Sequence, residues 1–130
     1  MAIVSAHMIL SVLAALLYGA LAWQASSLRP ATARHWLLGV ATLHAGGLAT
    51  GFFVPPPAFG FAAAVSVSAW LVLVVYLLES RALPQLRARG FLPLVGMVAV
   101  LLPLFFPGRA LPPEQSAWMG IHIALGMASY

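Results

Sequence analysis

The chain has 130 residues, of which 63% are hydrophobic and 6% are charged. Because a soluble domain uses roughly a quarter of charged residues to face water, this composition excludes a soluble globular protein and predicts an integral membrane protein. The net charge of +4 comes from six arginines and two glutamates in short segments, which indicates membrane topology and lipid headgroups and excludes nucleic acid as a partner. The sequence has no cysteine, so thiol redox chemistry, disulfides and covalent haem attachment are excluded.

Five apolar segments in chain order predict an all-α fold, a polytopic transmembrane helix bundle with four spans and the start of a fifth. The expected spans of this single membrane domain are about 3–23, 36–54, 61–78, 91–106 and 117–130. Three prolines, Pro55 to Pro57, end the second segment because proline has no N–H to donate. The last segment would rise only about 20 Å as a helix, against a hydrocarbon core of about 30 Å. We therefore expect the chain to be truncated at its C-terminus.

The distribution of arginines predicts the orientation of the spans. The loops between successive predicted spans are numbered one to four in chain order. Loop four carries Arg109 and loop two carries no arginine. Loops one and three carry the other five: Arg29, Arg34, Arg81, Arg87 and Arg89. By the positive-inside rule, loops one and three are expected to be cytoplasmic. The N-terminus, loop two and loop four then face outward.

Histidines are the candidate functional residues at membrane depth. The sequence has no aspartate or lysine, and both glutamates fall in predicted loops, so an ion-coupled pump and paired-carboxylate catalysis are not expected. We expect a protein that is not an enzyme. His44 lies near the middle of the second span, with Gly47 and Gly51 on its helical face. That face allows another helix or a flat ligand to approach closely. The alternative interpretation is a packing face with a hydrogen-bonded histidine.

His122 lies about one turn into the fifth segment, near the expected outer surface, and Trp118 shares its helical face. Neutral imidazole is a common axial ligand to haem iron. At 1.5 Å per residue, His44 and His122 differ in depth by about 10 Å, which leaves open two haem positions or a ligand from elsewhere. His7 and His35 are expected at the membrane interfaces.

Four stretches carry a resemblance to a known family. They are TLHA at 42–45, the apolar run at 64–76, FLPL at 91–94 and, most specifically, WMGIHIALGMASY at 118–130. The chain resembles the amino-terminal portion of the cytochrome c assembly membrane-protein family (CcsA, CcmC and HemX type), and most closely its YpjD-like inner-membrane branch. The family's tryptophan-rich W-G-x-x-W-x-W-D segment is not in this chain.

The resemblance implies a haem-binding, haem-handling protein of the bacterial inner membrane, whose partners are haem, the lipid bilayer and other cytochrome c maturation components. It implies His122 and then His44 as axial ligands to haem iron, with Trp118 as a further cofactor-binding residue. Two alternatives stay open at this point. One is a structural or regulatory membrane subunit without haem, and the other is a fragment of a small-molecule transporter.

Overall fold

Four helices make up most of the chain. The computed structural model describes residues 2–53, 58–82 and 90–110, together with residues 121, 122, 125, 126 and 129. The helices are α1 (Ala2–Trp23), α2 (Pro30–Phe53), α3 (Phe61–Ala82) and α4 (Phe91–Phe105), and the described residues 121–122 and 125–126 are also helical. The predicted all-α fold is confirmed for these residues.

Two of the helices are long and apolar enough to cross a membrane. These stretches are Ala6–Trp23 in α1 and Phe61–Ser80 in α3, while Phe91–Phe105 is apolar but shorter. Helix α2 is the longest, but its histidines, threonines, glycines and Arg34 make it less apolar than α1 and α3. The structure therefore supports two candidate spans, and the expected number of four spans stays a prediction.

The ends of two helices differ from the predicted spans. Helix α2 begins at Pro30 instead of near residue 36, and α3 continues to Ala82 instead of ending near residue 78. Proline suits the first turn of a helix because its fixed φ is already helical and its missing N–H would have no partner there. As a result Arg34 and His35, which were expected in a loop, lie within α2.

The core contains residues from all four helices. Helices α1 and α3 each pack against α2 and α4. Tyr18, Val40 and Leu73 are almost completely buried at the centre. Gly96 of α4 makes room for the Tyr18 ring, because a Cβ at this position would lie 2.9 Å from Cζ of Tyr18. A glycine on one helix thus permits a large side chain of another to occupy the core.

A short antiparallel strand pair connects two segments at one end of the bundle. Strand β1 (Ala58–Phe59) precedes α3, and β2 (Arg109–Ala110) follows α4, with Ala58 opposite Ala110. The backbones come so close that a Cβ at Gly108 would lie 2.2 Å from the carbonyl carbon of Phe59. Only glycine fits there. The pairing places loops two and four on the same side of the bundle.

Candidate functional site

His44 is at the centre of a buried polar network that connects three helices. Its imidazole is completely buried, Nδ1 lies 3.2 Å from the hydroxyl of Tyr18 on α1, and Nε2 lies 2.9 Å from Oγ of Ser66 on α3. The Tyr18 and His44 rings meet edge to face with centroids 5.9 Å apart. A neutral imidazole has one donor nitrogen and one acceptor nitrogen, and a hydroxyl group is able to act as either partner. In each tautomer, one ring nitrogen donates to one hydroxyl and the other accepts from the second hydroxyl.

The glycine face of His44 receives another helix. A Cβ at Gly47 would lie 3.6 Å from Oγ of Ser11, and one at Gly51 would lie 3.7 Å from Nε2 of His7. Both contacts are with α1, which is able to approach α2 closely along this face because glycine has no side chain. Of the two occupants that the sequence allows for this face, a helix or a flat ligand, the structure places a helix there.

Three polar contacts at successive depths hold α2 against α3. The Arg34 guanidinium donates to the Leu77 carbonyl at 3.3 Å, the Trp70 indole N–H donates to the Ala41 carbonyl at 2.9 Å, and His44 pairs with Ser66. Positions that rise along α2 meet positions that fall along α3, as an antiparallel helix pair requires. In a membrane such bonds hold helices together where the hydrophobic effect does not. Trp70 therefore serves this helix interface.

The network limits what His44 can do in this conformation. Binding iron requires the lone pair of a ring nitrogen, and both ring nitrogens already face a hydroxyl group inside the core. Iron ligation by His44 would require its contact with Tyr18 or its contact with Ser66 to break. The geometry therefore supports a packing and hydrogen-bonding role, while the axial-ligand assignment of His44 stays a prediction.

The other predicted site residues lie outside this network. His122 is exposed on a helical segment, so its imidazole is accessible, and Trp118 falls outside the described residues. His35 is exposed, and its Nδ1–H donates to the Ala31 carbonyl at 2.7 Å. His7 is partly buried against α2 near Gly51. The structure brings His44 together with Tyr18 and Ser66, and within the described part of the chain it shows no contact between His44 and His122.

Tyr18 and Ser66 were not among the predicted site residues. Their signal in the sequence is a polar side chain within an otherwise apolar helix, which is costly in lipid unless it has a partner. In the described ranges, no group of three or more His, Cys, Asp or Glu side chains could hold a metal ion. The described part of the site is a hydrogen-bonded core.

Comparison with known proteins does not add to this description. No family model matches the chain, and no curated protein or solved structure matches it either.

Proposed function

We propose that this protein is a membrane-embedded haem-handling protein of the cytochrome c assembly type, with His122 as the axial ligand that this chain contributes. The observation that carries the proposal is the accessible imidazole of His122 on a helical segment. The sequence around it, at 118–130, also bears the most specific resemblance to that family. The chemistry at the site would be that of the haem iron, and His122 would hold the haem in position.

A membrane location is supported by the outer surface of the bundle. Large apolar side chains face outward from α1, α3 and α4, and include Leu16 and Leu78, each 66% exposed. In a soluble monomer, large apolar side chains are seldom exposed together in one large patch. Aromatic side chains are exposed at both ends of the bundle, with Trp23 and Phe91 at one and Phe61 and Phe105 at the other. This distribution is typical of the two membrane interfaces.

The haem proposal is tested by absorption spectroscopy of the full-length protein purified from membranes. We expect a Soret band, which His122→Ala weakens or shifts because an axial nitrogen is lost. The matched control is His35→Ala, which removes another exposed histidine and should leave the band unchanged. An unchanged spectrum in the His44→Ala/His122→Ala double variant would show that both ligand assignments are wrong.

The second candidate is a structural or regulatory membrane subunit without haem. The saturated hydrogen bonding of His44 favours it, since the most buried histidine has two protein partners and needs no ligand. Under this hypothesis the purified protein has no Soret band, and on titration the added haem keeps the Soret band of free haem. The spectrum of the wild-type protein therefore distinguishes the two candidates.

A further inference from the structure

An open groove lies on the surface between α1 and α2, toward the end where α2 begins. Its volume is about 570 Å³, and it is lined by Leu17, Thr32, His35, Trp36, Gly39, Val40 and Leu43. Gly39 forms part of its floor, and no heavy atom lies within 4 Å of the position that a Cβ would occupy there. The groove is therefore open to a ligand from the side of the bundle.

The groove is polar at one end and apolar at the other. Thr32 and His35 lie toward the start of α2, while Val40 and Leu43 lie toward its middle, next to Leu17 of α1. From Thr32 to Leu43 the helix rises about 16 Å, and half of the hydrocarbon core of a bilayer is about 15 Å thick. The groove thus has the length of an acyl chain in one leaflet.

Positive charge lies next to the polar end of the groove. Arg29 is exposed and immediately precedes α2, and its carbonyl accepts a hydrogen bond from the Ala33 N–H at 2.9 Å, which places Arg29 beside the first turn that contains Thr32. The arginine-rich loops are expected on the cytoplasmic side, where the leaflet contains anionic lipids. Trp36, which is 54% exposed, is next to His35 at the polar end of the groove, where a tryptophan at the membrane interface is expected.

We infer that this groove binds an anionic phospholipid of the cytoplasmic leaflet. One acyl chain lies along Gly39, Val40 and Leu43, and the phosphate lies near Arg29 and Thr32. This inference goes beyond the proposed function and does not depend on haem binding, because none of the groove residues is a proposed haem ligand.

The test uses native mass spectrometry of the full-length protein with phosphatidylglycerol or with phosphatidylcholine of the same acyl chains. The wild type should retain more phosphatidylglycerol. Gly39→Leu fills the groove and should reduce retention about tenfold, the factor that corresponds to 1.4 kcal/mol. Gly46→Leu is the matched control, since Gly46 also lies on α2 with no heavy atom within 4 Å of its Cβ position. Arg29→Gln should abolish the preference for the anionic headgroup.

Equal retention of the two lipids by the wild type would overturn the inference, and so would equal retention by Gly39→Leu and Gly46→Leu. The Soret band is recorded on the same samples, so failure of the lipid site and failure of the haem proposal are distinguishable. A Soret band lost in Gly39→Leu with unchanged lipid retention would assign the groove to haem and would likewise overturn the inference. Melting temperatures of both leucine variants establish that each is folded.

Discussion

At the scale of single residues, the two hydroxyl partners of His44 make its replacement costly. In His44→Ala the hydroxyls of Tyr18 and Ser66 lose their shared partner inside the core, and a cavity remains where the ring was. An unsatisfied buried polar group costs about 1–3 kcal/mol, although hydrogen bonds between membrane helices average only about 0.6 kcal/mol. We therefore expect His44→Ala to lower the free energy of unfolding by roughly 2–3 kcal/mol in detergent, as measured by denaturant titration.

His35→Ala is the matched control for this stability measurement. It removes an exposed histidine from the same helix, and its effect should stay within about 0.5 kcal/mol. A similar loss of stability in the two variants would contradict a structural role for the buried network.

At the scale of helices, the contact between α1 and α4 depends on a glycine. In Gly96→Ala the new methyl group would lie 2.9–3.1 Å from atoms of the Tyr18 ring, which is itself completely buried and held by His44. Because the ring has no free space to enter, we expect a loss of about 1–3 kcal/mol in the free energy of unfolding. Thermal unfolding in detergent, read by circular dichroism, measures it.

The control for the α4 substitution is Gly39→Ala, where the added methyl group meets no heavy atom within 4 Å. Alanine is favoured over glycine in a helix interior, so this variant should be neutral or more stable by up to about 1 kcal/mol. The same chemical change should thus have opposite signs at two helical glycines. Equal effects would mean that the approach of Tyr18 to α4 does not determine the stability of this helix pair.

Hydropathy predicted the helices well, but it did not predict all of their ends. Hydropathy indicates which residues are stable in the hydrocarbon core. A helix that extends into the membrane interface keeps its backbone hydrogen bonds, so it need not end where its apolar stretch ends. For that reason α2 begins at Pro30, several residues before its apolar stretch. The sequence also identified His44 and its glycine face. It could not identify Tyr18 and Ser66 as partners, because they are 26 and 22 residues away and the periodicity of one helix does not fix its register against another.

At the scale of the whole molecule, two independent features agree on how the chain is arranged. The arginine distribution separates loops one and three from loops two and four, and the strand pair joins loops two and four directly. The strand pair requires an even number of helices between the two loops, and α3 and α4 supply two. The predicted four-span topology would then place Arg109 on one side of the membrane and Ser27, between α1 and α2, on the other.

The absence of cysteine from the sequence makes this arrangement directly measurable. In cells that express single-cysteine variants, Arg109→Cys should react with a membrane-impermeant maleimide added outside, because this exposed strand position faces outward in the predicted topology. Ser27→Cys, also exposed, should react only after the membrane is permeabilised. Labelling of both positions in intact cells would contradict the topology. It would also place the groove beside Thr32 in the outer leaflet, where the positive-inside argument for an anionic lipid no longer applies.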